Sequence, residues 1–105
     1  MSKKEHLYYA KYTEEEINSI CRRALRKWGI TSQVLMCIEE CSELIRVLAK
    51  SDRNINGSTV EEIASEIADV NLMIRQIMIA FKINDVTVAS IEEEKLDRLK
   101  RILES

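Results

Sequence analysis

Two short acidic motifs hold the residues best suited to chemistry in this sequence. One reads Glu39-Glu40-Cys41-Ser42-Glu43, the other Glu66-Ile67-Ala68-Asp69. Glu40 and Glu43 are three residues apart, as are Glu66 and Asp69, so on helices each pair projects from one side, one turn apart. Met36 lies four residues before Glu40 and Val47 four after Glu43, while Glu62 and Met73 bracket the second pair. The acids thus interrupt an apolar stripe. Any single Glu in a chain with 18 acidic residues is ordinarily a solvated side chain. Two pairs at matching heights on neighbouring helices are a different matter, because converging carboxylates repel at short range. Arg46 is the one basic residue between Met36 and Val47, and its spacing points it away from the acids. A cation or bound protons must then neutralise the cluster. Ligands that are all oxygen favour hard ions, which makes Mg²⁺ the expected metal and Mn²⁺ its substitute.

The elements that must position these acids are helices. The chain has no Pro and only two Gly, whereas strand-rich domains spend both on turns. Periodicity and capping signals predict helices over about 13–29, 31–50, 59–81 and 86–103. Thr13 with Glu16, and Ser58 or Thr59 with Glu61 or Glu62, have capping-box spacing, and Gly29 is a natural stop. Ile17, Ile20, Cys21, Ala24, Leu25 and Trp28 follow one face of the first helix; Val34, Ile38, Cys41, Ile45 and Leu48 form the expected core stripe of the second. Residues 51–58 are the clearest loop, and they join helices two and three as an antiparallel hairpin. About seven residues separate each acid pair from the loop, so the pairs meet across it.

The third helix is apolar on nearly its whole circumference from Ile67 onward, more than a surface helix of a small monomer needs. The expected architecture is therefore all-α: one domain over 1–105, a four-helix bundle completed by oligomerisation, with residues 1–12 as an arm. A homodimer is expected, with a tetramer as the alternative.

A net charge of −2 argues against a nucleic-acid-coating protein, and no apolar run approaches the ~20 residues that span a bilayer. The charged start leads into no signal core, so the chain is read as cytoplasmic. Cys21, Cys37 and Cys41 have no CxxC spacing and are read as small core residues in a reducing compartment. His6, the single histidine, is assigned no role.

On these residues the chain resembles the all-α nucleoside triphosphate pyrophosphohydrolases, the MazG-like superfamily. Their signature is E-E-x-x-E followed, after a spacer, by E-x-x-D. Here 22 residues separate Glu43 from Glu66. Trp28-Gly29, Gln33 seven before Glu40, and the charged run Glu92 to Leu99 extend the likeness to short phage-type members. The resemblance implies Mg²⁺-dependent cleavage of a nucleotide between its α and β phosphates, releasing a monophosphate and pyrophosphate. It implies that Glu40, Glu43, Glu66 and Asp69 bind the metal, and that Glu39 ligates a further ion or orients the attacking water. Lys95, Arg98 and Arg101 are candidates for the phosphates, against the alternative of a solvated edge pairing with Glu92 and Glu94; a common family form has Asn where this chain has Arg98. Trp28 and Gln33 are candidates for the base, Trp28 competing with a core role and Gln33 with a helix-start role. No Walker loop is present.

The leading expectation is thus a house-cleaning or pool-control hydrolase of a (deoxy)nucleoside triphosphate. Phosphoribosyl-nucleotide hydrolysis is a related alternative. The alternative of a different class is a non-catalytic helical interaction module whose acids solubilise it.

Overall fold

The computed structural model describes residues 9–51 and 57–105. Most of the expected arm and most of the 51–58 loop, together with His6, lie outside the described residues. Among the described residues all regular structure is helical: α1 Glu14–Trp28, α2 Ile30–Ser51, α3 Val60–Ala80 and α4 Asp85–Glu104. No helix among them is long and apolar enough to cross a membrane.

Local hydrogen bonding explains where the helices begin. The Thr13 and Glu16 amides exchange bonds with each other's side chains, at 2.8 Å to Glu16 Oε1 and 3.1 Å to Thr13 Oγ1. Thr59 and Glu62 repeat the same box at the same distances. Each satisfies two amides that would otherwise lack partners, and removing such a cap costs about 1 kcal/mol. Asn84 opens α4 by accepting from the Val86 amide at 2.8 Å.

The ends are equally local. Gly29 takes φ +89, donates to the Leu25 carbonyl at 2.8 Å, and is the single residue between α1 and α2. At the end of α3, Ile83 N–H donates to the Met78 carbonyl at 2.8 Å and Lys82 N–H to that of Ile79 at 3.2 Å. This is a Schellman closure whose left-handed position (φ 56) is a lysine where glycine is usual.

α2 and α3 share the most extensive interface, with α1 against both. Ile17 and Cys21 of α1, Val47 of α2, and Val70 and Met73 of α3 make the buried apolar core. Two polar links cross it. Gln33 is buried and its amide donates to Gln76 Oε1 at 2.7 Å; Arg75 pairs with Glu14 and reaches Asn18 Oδ1 at 3.4 Å. α4 buries no residue and forms no extensive contact with the other three helices. A single chain therefore packs three helices and projects the fourth.

The buried face of α2 is not the expected one. Ile38, Ile45 and Leu48 are exposed and Val34 and Cys41 of the expected stripe are half-buried, while Gln33 and Val47 are buried and Cys37, Glu40 and Leu44 turn partly inward. α2 is apolar over much of its circumference, so periodicity allows several faces. The one chosen puts Val47 in the core and brings the acid-bearing side toward α3. Trp28 likewise does not close the core. It is 57% exposed, with Lys27 Nζ 5.6 Å from its ring centroid. Ile20, on the same expected face, is 42% exposed.

These burials set a stability contrast. Met73→Ala is expected to cost about 2–4 kcal/mol, as deletion of a packed side chain does. Trp28→Ala should cost under about 1 kcal/mol, since little is desolvated there. Urea midpoints of the two variants measure this, and an equal loss for Trp28 would contradict its exposed placement.

Candidate metal centre

The hairpin brings three of the expected acids together. One carboxylate oxygen each from Glu40 on α2 and from Glu66 and Asp69 on α3 lie within 4.8 Å of one another. Glu40 and Glu66 are half-buried and Asp69 is exposed, so the cluster sits at the edge of the α2–α3 interface. Val47 and Met73, the apolar neighbours on its stripe, are buried beside it.

Two features bear on whether the cluster could hold a cation. Glu66 Oε1 is buried and has no hydrogen-bond partner among the described residues. A buried acceptor without a donor carries its desolvation cost uncompensated. The carboxyl of Glu40 is held above the ordinary carboxylate range, first by partial loss of water and then by the negative charges of Asp69, Glu66, Glu39 and Glu43. A hard cation fits this donor set, which holds three carboxylates and no nitrogen or sulfur.

Glu43 is not part of the cluster. Arg46 Nε and Nη2 donate to Glu43 Oε1 at 3.2 and 2.7 Å, contrary to the expectation that Arg46 points elsewhere. The spacing of three residues on a helix was the signal for this pair. Arg46 is largely solvated and Glu43 half-buried, so the pair is worth no more than about 1 kcal/mol. Glu39 is exposed beside Glu40, and its backbone carbonyl accepts from Ser42 Oγ at 2.6 Å.

The remaining candidates lie apart. Gln33 is engaged by Gln76 inside the core, and Trp28 stands exposed at the end of α1. Lys95, Arg98 and Arg101 are exposed on α4, with no ion pair to the acids. A concavity of about 750 Å³ is lined by α1, α3 and the start of α4, including Arg22, Asn71 and Arg75. It holds none of the three acids, because Ala68, Asn71 and Arg75 lie on the side of α3 opposite Glu66 and Met73. Cys21 is buried and Cys37 and Cys41 half-buried, all three as free thiols. Burial raises the Cys21 and Cys37 thiols, with Cys41 adding to the effect on Cys37, which leaves both poor nucleophiles at neutral pH.

The raised Glu40 carboxyl has a sign that can be tested. Between the ordinary value, about 4.3, and its raised folded value, the folded state binds more protons than the unfolded state. Metal-free protein therefore loses stability through this group as pH rises across that window, and the loss persists above it. Glu40→Gln should remove that loss and leave metal-free protein at neutral pH as stable as the parent or more so. Urea midpoints across the acid range measure the difference, and parallel pH profiles for the two proteins would contradict the crowding of the acids.

The chain was compared with protein-family models, with curated proteins and with solved structures, and it matches none of them.

Proposed function

We propose that this chain is a Mg²⁺-dependent nucleotide pyrophosphohydrolase, cleaving a (deoxy)nucleoside triphosphate between its α and β phosphates to give a monophosphate and pyrophosphate. The observation that supports it is the meeting of Glu40, Glu66 and Asp69 across two helices, with one Glu66 oxygen buried and unpartnered. The spacing of these acids is also what the resemblance to the MazG-like superfamily rests on.

In this proposal Glu40, Glu66 and Asp69 hold the metal, and Glu43 joins only by leaving Arg46. Bound Mg²⁺ would supply neutralisation of the charge that develops on the phosphate oxygens. Glu39, solvated beside Glu40, orients the attacking water and takes its proton. Water adds at phosphorus, the anhydride bond breaks, and pyrophosphate departs. Half-burial of Glu40 and Glu66 holds their carboxylates in a setting less screened than bulk water. Phosphate binding by Lys95, Arg98 and Arg101 has no support within one chain, because α4 forms no extensive contact with the helices that carry the acids.

The active species in this proposal is a homodimer. The chain exposes 8742 Å², whereas a compact monomer of 12.2 kDa exposes about 6,100 Å². The excess of about 2,600 Å² per chain, about 5,200 Å² for two copies, lies at the upper end of what obligate homodimers cover.

The non-catalytic interaction module is favoured by the same exposed apolar surface, and it separates cleanly from the enzyme. Ribo- and deoxyribonucleoside triphosphates and a phosphoribosyl-nucleotide, each incubated with the chain and Mg²⁺, should yield pyrophosphate from at least one. No product from any of them, or orthophosphate with a diphosphate, would overturn the proposal.

A further inference from the structure

We propose that α4 pairs with α4 of a second copy of this chain, antiparallel across a twofold axis, in the register that sets Val88 against Leu99 and Glu92 against Lys95. It rests on the self-association proposed above and names the surface responsible.

α4 is a 20-residue helix with no buried residue in the single chain. Val88, Ile91, Leu99 and Ile102 nevertheless share one face at heptad spacing. Leu99 is 51% and Ile102 59% exposed, which leaves apolar side chains in water on that face. Two charges interrupt that face, Glu92 four residues after Val88 and Lys95 four residues before Leu99. Neither is in an ion pair among the described residues. Both are therefore available to an outside partner.

Antiparallel helices align a position of one type with the complementary type of the other. When Val88 faces Leu99 of the partner subunit, Glu92 necessarily faces Lys95 of the partner subunit, and the twofold repeats both contacts. Each interrupting charge then meets its opposite, Val88 meets Leu99 and Ile91 meets Leu96, while Ile102 reaches the first turn of the other α4. A parallel pair in register would oppose Glu92 to Glu92 and Lys95 to Lys95, which like-charge repulsion disfavours. The wider charge distribution agrees. The first half of α4 carries Asp85, Glu92, Glu93 and Glu94 without a cation, and the second half carries Lys95, Arg98, Lys100 and Arg101 against Asp97 and Glu104, an excess of positive charge. The register also assigns Lys95 to the interface and not to a phosphate.

Sedimentation of the full chain at micromolar concentration tests this, with circular dichroism to verify helical content. The parent should be a dimer and Leu99→Asp a monomer. Glu92→Lys and Lys95→Glu, each alone, should weaken dimerisation by about tenfold or more. The doubly reversed chain, with both substitutions, should recover to within about threefold of the parent. A monomeric parent would overturn the self-association as well as the pairing. A dimer indifferent to Leu99→Asp would overturn the role of α4 alone. Loss of dimer on Leu99→Asp without response to either reversal would put α4 against another surface, such as the exposed Ile38–Ile45 stripe of α2, and overturn the antiparallel register. Failure of the double reversal to recover would do the same. Pyrophosphate release is read separately, so none of these outcomes is confused with loss of the proposed chemistry.

Discussion

Asp69→Ala is expected to lower pyrophosphate release at saturating Mg²⁺ by about 10³-fold while helical content is retained. The metal in the proposed site is held by only three side chains, and removing one takes away both charge and geometry where phosphate charge develops. Asp69 is exposed, so its truncation leaves no cavity and the loss cannot be assigned to unfolding. Glu40→Ala and Glu66→Ala should fall to a similar level. A Glu40→Ala, Asp69→Ala double variant should be little worse than either, because residues acting as one unit are not additive. Glu43 provides the internal contrast. The resemblance makes it a fourth ligand, whereas the structure ties it to Arg46 outside the cluster. Glu43→Ala is therefore expected to cost about tenfold, the scale of a supporting residue. An Asp69→Ala variant that keeps the parent rate would remove the site assignment. A Glu43→Ala variant as inactive as Asp69→Ala would restore the four-ligand site.

Millimolar Mg²⁺ should raise the unfolding temperature of the parent chain by about 10–20 °C. At a hundredfold excess over its dissociation constant, a ligand bound only by the folded state contributes about 2.7 kcal/mol, and a domain this size gains about 4–8 °C per kcal/mol. The structure gives the physical source. Without a cation, Glu66 Oε1 is buried unpaired and Glu40 titrates above its ordinary range. In the proposed site a divalent ion would relieve both at once. Mn²⁺ should act in the same direction, chelation should reverse the shift, and Asp69→Ala should abolish it. Binding should weaken as pH falls through the raised Glu40 value, since the proton competes for the same oxygen. Differential scanning with an ionic-strength control makes the measurement. A parent shift no greater than that of the sodium control would argue for the interaction module, whose acids need no metal.

Much of this molecule is legible in short-range patterns. The capping boxes at Thr13 and Thr59 are interactions over three residues, and they form wherever a helix starts. The hairpin follows from one loop between two long periodic segments, and it brings Glu40 opposite Glu66 and Asp69 as spacing requires. The Arg46–Glu43 pair was also within reach of the three-residue rule. What periodicity could not choose was the buried face of α2, where Ile38 and Ile45 are as apolar as the residues turned inward. Nor is there any local signal for the Gln33–Gln76 bond, which joins residues 43 apart.

Taken alone, the amino-acid order determined four helices, their ends and the two acid pairs, because each depends on contacts within about one helical turn. Tertiary packing decided which three carboxylates meet, that Gln33 is interior and Trp28 exposed, and that α4 makes no extensive contact within one chain. Those outcomes depend on how helices rotate about their axes against one another. That rotation is set by the summed packing of distant residues, and no short stretch of sequence contains it.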